Sequence, residues 1–185
     1  SALGVIERPG LLSPLVIHGP TGVGKTHLLQ AIAAESQRRH RHLPAICVTA
    51  EQFTTDFLEA LQGSGLPSFR RKYRGVGLLA IDDVQFFAGK RATQGELLHT
   101  IDALLRDGRQ LVFASDRPPA EMPVLGPELK TRLLGGLVCG VDLPDFETRL
   151  GIVAQVAAEL RLPLGDEVAC YVATHFRSHA RELAG

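Results

Sequence analysis

Gly19-Pro20-Thr21-Gly22-Val23-Gly24-Lys25-Thr26 decides how this sequence is read. It fits the pattern G-x-x-x-x-G-K-[ST], and it sits where that pattern works. The apolar run Leu15-Val16-Ile17 leads in as a strand, and a helical pattern leads out from Lys25. Glycines let a backbone wrap close to phosphate with its N–H groups turned inward. The helix N-terminus adds partial positive charge. The motif therefore predicts an ATP or ADP site built from Gly19, Pro20, Thr21, Gly22, Val23, Gly24, Lys25, Thr26 and His27. Lys25 is assigned to the β- and γ-phosphates, and the Thr26 hydroxyl to Mg2+. The alternative is a chance glycine-rich turn.

Four further apolar runs follow: Ala45 to Val48, Leu78 to Ile81, Leu111 to Ala114 and Leu137 to Val141. None alternates polar with apolar, so each is predicted to be buried on both faces of a parallel sheet. Leu97, Leu98, Ile101, Leu104 and Leu105 form one helical stripe between them, and Phe53, Phe57, Leu58 and Leu61 another, starting near Thr49 or Glu51. Gly63-Ser64-Gly65 with Pro67 separates the second helix from a basic one, Ser68 to Arg74. After Pro144 the strand pattern stops, with helices predicted over Thr148 to Leu160 and Asp166 to Phe176 and a third from Ser178. The expected fold class is α/β. Five parallel strands sandwiched by helices occupy residues 1–143, and a small helical lid occupies 144–185.

Asp82 and Asp83 end the apolar run at Ile81, which puts two carboxylates at the carboxyl edge of a buried strand, where open α/β sheets bind ligands. Asp82 is predicted to hold Mg2+ through water. Asp83 either polarises the attacking water or caps the next helix. The cluster Ala114-Ser115-Asp116-Arg117-Pro118-Pro119 ends another strand. Asp116 either senses the γ-phosphate or serves as a cap before a proline-started turn.

Composition narrows the partners. Lysine plus arginine equals aspartate plus glutamate at 20 each, so no global charge points to nucleic acid, although a local patch still could. Hydrophobic content of 45% with 22% charged residues reads as globular. Cys47, Cys139 and Cys170 are odd in number and lack metal-ligand spacing, which suits a reducing cytoplasm and buried structural thiols. No signal-peptide pattern and no membrane-length apolar run is visible.

Several stretches together resemble a known family. They are Pro14 to Leu29 (PLVIHGPTGVGKTHLL), Val48 to Phe57 (VTAEQFTTDF), Phe69 to Gly89 (FRRKYRGVGLLAIDDVQFFAG), Ser115 to Pro119 (SDRPP) and Arg181-Glu182-Leu183 with Gly185. Over nearly the whole chain they are similar to the AAA+ ATPase domain of the bacterial replication initiators of the DnaA family. The resemblance implies a slow, nucleotide-switched ATPase that self-assembles into a filament on origin DNA, with a replicative helicase or a clamp-type regulator as a further partner. It implies that Arg132 is an arginine finger reaching into a neighbouring protomer's ATP site, and that Arg181 is a lid arginine touching nucleotide in its own subunit. Without it, Arg132 reads as an ordinary surface arginine. Helices Glu51 to Gln62 and Ser68 to Arg74 correspond to the insertion that makes initiators form filaments.

The basic run Arg70 to Arg74 suits either phosphate attraction or a solvated helix face. Arg38 to His42 suits an exposed helix end. The family pattern is broken at Glu128, where a first finger arginine is usual, at Ala92, where a pore-lining basic residue is usual, and at Leu58, where valine is. Binding of single-stranded DNA by this chain is therefore expected to be weak. Recognition of duplex origin boxes is not expected, because the family's helix-turn-helix domain lies past Gly185. Nucleotide affinity is expected to be reduced, because the family's amino-terminal adenine-pocket segment is largely missing. The alternative is an initiator-like regulatory ATPase that does not read origin DNA itself. A small-molecule kinase shares the glycine motif, but the helical segment follows the sheet instead of interrupting it.

Overall fold

The computed structural model describes residues 7, 9–63, 65–122 and 124–175. Five parallel strands, β1 (Leu15–His18), β2 (Ala45–Thr49), β3 (Leu78–Asp82), β4 (Gln110–Ser115) and β5 (Leu137–Gly140), lie in the order β2-β3-β4-β1-β5. Helices α1 (Lys25–Arg39), α2 (Ala50–Gln62), α3 (Leu66–Arg74), α4 (Arg91–Arg106) and α5 (Pro127–Leu134) connect them, with 3-10 turns at Val84–Phe87 and Pro119–Glu121. The helices α6 (Phe146–Glu159) and α7 (Asp166–His175) follow. The predicted third helix from Ser178, like Arg181, lies outside the described residues.

Side chains on a strand alternate between faces, and this sandwich follows that period of two. Val16, Leu79, Ile81, Leu111 and Phe113 join one core with Phe53 and Phe57 of α2, Phe69 and Tyr73 of α3, Leu97, Ile101 and Leu104 of α4, and Leu129 and Leu133 of α5. The alternate residues Leu15, Ile17, Leu78, Ala80, Val112 and Ala114 are also buried, and α1 packs along β2, β3 and β4 with Leu29, Ile32 and Ala33 buried. β3 and β4 are buried at every position, as expected of strands covered on both faces. β2 and β5 are not: they are the edge strands, and their residues are half-buried or exposed. The same position corrects the expectation of buried thiols. Cys47 on β2 and Cys170 on α7 are exposed, and Cys139 on β5 is half-buried.

The helix caps follow from local chemistry. The Thr49 hydroxyl accepts from the Gln52 N–H at 3.1 Å and starts α2. The apolar stripe on α2 differs from the predicted one. Phe53, Phe57 and Ala60 are buried, whereas Leu58 and Leu61 are about half exposed, at 47% and 48%. Four residues on from Phe57 the helix has turned 40° past a full turn, and that carries Leu61 off the buried face.

By internal contacts the chain divides into two compact units. One holds the sheet, with the chain to His18 and Lys25–Gly140. The other holds Gly19–Gly24 and the chain from Val141 onward. Within the second, Val153 and Ala169 pack with Leu150, Ile152 and Val172 between α6 and α7. Arg149 fastens the pair by donating from Nε to the Ala173 carbonyl and from Nη1 to that of Pro144, both at 2.7 Å. The Asp145 carboxylate caps α6 through the Thr148 N–H at 2.8 Å.

Candidate nucleotide site

In-register parallel pairing aligns the carboxyl ends of neighbouring strands. Thr49 lies opposite Asp82 across β2 and β3, and His18 lies opposite Ser115 across β1 and β4. Asp82 is therefore delivered to the strand edge where the sequence placed it, buried to 5% exposure. Lys25 and Thr26 open α1. Lys25 is buried, Thr26 and His27 are exposed, and the Thr26 hydroxyl donates to Asp82 Oδ2 at 2.5 Å. Giving its hydrogen to Asp82 leaves the hydroxyl oxygen's lone pairs for a cation. Asp82 Oδ1 in turn accepts the Asp83 N–H at 2.8 Å, which fixes the carboxylate's orientation.

Asp83 sits in the left-handed region, at φ 57° and ψ 47°. A non-glycine residue there stores on the order of 1–3 kcal/mol of strain, a feature that clusters at functional sites. Asp83 makes no side-chain cap to the turn that follows, contrary to the cap alternative. Its Oδ1 accepts instead from Gln85 Nε2 at 2.8 Å, and Gln85 Oε1 accepts the Asp116 N–H at 3.3 Å. The amide of Gln85 thus ties the end of β3 to the end of β4. Asp116 is bound bidentately by Arg117, with Nε and Nη2 at 3.0 and 2.9 Å, and Ser115 Oγ donates to the Arg117 carbonyl at 2.7 Å. The prolines begin the 3-10 turn Pro119–Glu121. Sequence reading missed Gln85. Its signal was a lone amide between two strand-end acids and the apolar pair Phe86-Phe87.

Gly22 and Gly24 take φ of 82° and 92°, which favours glycine, and Gly24 has open space where a Cβ would stand. Gly19 passes so close to Val141 that a Cβ would lie 2.2 Å from the Val141 carbonyl oxygen. A side chain at Gly19 is excluded by packing, and at Gly24 it is disfavoured by conformation.

The structure ties Arg132, on α5, to Asp102 on α4 through Nε at 2.6 Å, with the arginine side chain 46% exposed. That is the setting of a surface arginine in the free chain, and its terminal nitrogens make no hydrogen bond within the described chain. Arg181 lies outside the described residues. The basic run on α3 is largely occupied. Arg70 grips Glu96 with Nε at 3.0 and Nη2 at 2.9 Å, Arg74 reaches the same carboxylate at 2.6 Å, and Lys72 pairs with Asp56. Burial would raise the Glu96 pKa, but hydrogen bonds from Arg70 and the charges of Arg70 and Arg74 hold it below the usual value. Asp56 is held low in the same way by Lys72, Tyr73 and Gln52 against its burial. At the end of α1, Arg38 and Arg39 pair with Glu35, whose pKa they lower to about 2.

Among the described residues no group of three or more His, Cys, Asp or Glu side chains gathers into a metal cage. Mg2+ suits the donors that are present. It is held by one or two protein oxygens together with substrate phosphates and waters, and Thr26 Oγ1 and Asp82 supply hard oxygens at one point.

A five-stranded parallel sheet, a glycine turn leading to a helix that opens with Lys25-Thr26, and a strand-end aspartate bonded to that threonine define a P-loop domain of the AAA+ class. The profile of the bacterial DnaA ATPase domain matches residues 1–140, and the chain belongs to that family. It is 42% identical over 186 residues to the chromosomal replication initiator protein DnaA of Gloeothece citriformis (strain PCC 7424), and 41% identical to that of Symbiobacterium thermophilum. In both cases all of this chain is covered and 41% of the relative, so the chain spans about two fifths of these proteins. The crystal structure of domain III of the Thermotoga maritima replication initiation protein DnaA superposes with a TM-score of 0.95 at 38% identity, covering all of this chain and 77% of that one. A replication initiator DnaA bound to AMPPCP and single-stranded DNA superposes with a TM-score of 0.88 at 33% identity, covering 98% of this chain and 56% of that one. Among the described residues no helix is long and apolar enough to cross a membrane.

Proposed function

We propose that this chain is the ATP-binding, slowly hydrolysing domain of a chromosomal replication initiator, whose nucleotide state governs self-assembly on origin DNA in the cytoplasm. The contact between the Thr26 hydroxyl and Asp82 carries the reading, because it brings the two oxygen donors for Mg2+ together at the strand edge. Residues 1–143 act as the nucleotide-binding core and 144–185 as the lid. Gly19 to Gly24 wrap the phosphates, Lys25 neutralises the β- and γ-phosphates, and Thr26 and Asp82 hold Mg2+. Held by Thr26 and Asp82, the ion would supply positive charge that offsets the negative charge of the phosphates.

In hydrolysis the water oxygen bonds to the γ-phosphorus, and the bond to the ADP oxygen breaks with its electron pair left on ADP. The water proton passes to Asp83. Asp116, at the end of β4, reports on the γ-phosphate. Arg132 and Arg181 act on it from a neighbouring protomer and from the lid. Relatives named as chromosomal replication initiators, and a related structure holding both AMPPCP and single-stranded DNA, support the initiator reading over a regulator.

ATP and ADP affinity, measured with Mg2+ for the chain and for Lys25→Ala, tests the nucleotide site. Loss of at least about 100-fold in ATP affinity is expected, since the variant strips the charge facing the phosphates. Sizing the same samples tests the switch: larger species are expected with ATP and not with ADP. Unchanged affinity in the variant would overturn the assignment of the site.

A further inference from the structure

We propose that Gln85 is a positioning residue for ATP hydrolysis, whose side-chain amide holds the Asp83 carboxylate in its working orientation and couples it to the γ-phosphate sensor at Asp116. The inference rests on the reading of Asp83 as the group that polarises water. It is carried by one side chain making two directed contacts: Nε2 donates to Asp83 Oδ1 at 2.8 Å, while Oε1 accepts the backbone N–H of Asp116 at 3.3 Å. A primary amide is the side chain that can donate at one end and accept at the other with both ends fixed. Aspartate at position 83 needs such help. Its carboxyl group is short and its backbone is left-handed, so neither chain direction nor a helix cap fixes the side chain. One oxygen held by Gln85 leaves the other oxygen for a water.

The link also crosses from one strand end to the next. Gln85 lies in the 3-10 turn after β3, and Asp116 follows the last residue of β4. A change at Asp116 on loss of the γ-phosphate therefore alters the acceptor side of the same amide whose donor side holds Asp83. Coupling of this kind acts on turnover without entering the binding of the nucleotide base or ribose.

The experiment compares Gln85→Leu, Gln85→Glu and Asp83→Asn with the unmodified chain. Turnover, ATP and ADP affinity with Mg2+, and melting temperature are the readouts. Gln85→Leu is expected to lower turnover about ten-fold, short of the roughly 100-fold or more expected for losing a general base itself, with ATP affinity within about two-fold. Gln85→Glu puts a second carboxylate beside Asp83. A carboxylate has no N–H to donate, so this variant's turnover is expected to fall at least as far as that of Gln85→Leu, again with ATP affinity within about two-fold. A merely structural glutamine loses affinity and melting temperature along with turnover. Asp83→Asn slowing turnover while both Gln85 variants run at the normal rate overturns the proposal. So does Gln85→Leu losing turnover, affinity and melting temperature in step. Normal turnover in Asp83→Asn instead overturns the reading of Asp83 itself.

Discussion

The acids of α2 and α4 and the acids at the end of β3 are partnered in opposite ways. Asp56 accepts from Lys72, Tyr73 and Gln52, and Glu96 from Arg70 and Arg74, so their oxygens are used within the protein. Thr26 is exposed with one bond made, Asp83 shows one held oxygen, and Asp82 accepts two hydrogen bonds from protein groups with lone pairs to spare. The first region spends its charge on architecture. It locks α3 against α2 and α4 beside an aromatic cluster in which Phe53 meets Phe69, Tyr73 and Phe87 at centroid distances of 5.2, 4.8 and 5.8 Å. The second leaves its valences open. A basic helix is thus no sign of a phosphate site when its charges are already answered, whereas oxygens with lone pairs to spare at a strand edge suit a cation.

If that division is real, damage to the first region changes stability and spares nucleotide affinity. The largest such effect is expected for Phe53→Ala. The ring is fully buried and contacts three others, so its removal costs about 4 kcal/mol. Denaturant unfolding checks the loss, and ATP titration of the folded fraction checks that affinity stays within about two-fold of normal. A collapse of affinity without loss of stability would break the comparison.

Glu96→Gln sharpens it at smaller amplitude. The carboxylate is 6% exposed, but Arg70 and Arg74 keep 46% and 27% of their side-chain exposure, so screening brings the expected loss to about 1–2 kcal/mol. The folded pKa of Glu96 lies below its ordinary value of 4.5, so the carboxylate's contribution is present above that value and is lost as pH falls through the folded pKa. The gap in melting temperature between the normal chain and Glu96→Gln is therefore expected to be full at neutral pH and to close in acid below 4.5. A gap independent of pH would assign the loss to packing.

The contrast also explains what could be read in advance. Gly19 to Thr26, Asp82 and the five strands were legible because backbone chemistry dictates them: glycines at positive φ, a helix start, and apolar runs long enough for one strand each. Edge and centre strands were not separable, since burial on a second face depends on strand order, and order is a matter of long-range pairing. Leu58 and Leu61 were misassigned to the core of α2 because the helix turns its apolar stripe, and Ala60, too small to mark a stripe, takes the place next to Phe57. The partners of Arg70, Lys72 and Arg74 sit 16 to 26 residues away on other helices. Nothing local distinguishes such a run from a solvated or phosphate-binding one. Gln85 was invisible for the same reason, because its meaning lies in Asp116, 31 residues on.

Arg132 belongs to neither region, and that makes it the most delicate test. Asp102 answers only its Nε, so the guanidinium is half committed to the fold, and its terminal nitrogens make no hydrogen bond among the described residues. A finger needs that state: a side chain held well enough to be aimed, yet with a fork free for phosphate. Arg132→Ala is expected to remove the ATP-specific assembly seen by sizing, while ATP affinity of the single protomer is unchanged. Asp102→Ala removes the aim and keeps the charge, so a smaller loss of about two- to five-fold in assembly is expected, in keeping with the modest worth of an exposed pair. An increase in assembly on removing Asp102 would mean that the aspartate restrains the arginine instead of aiming it. That would move Arg132, in the free chain, to the side of the charges the fold has already spent.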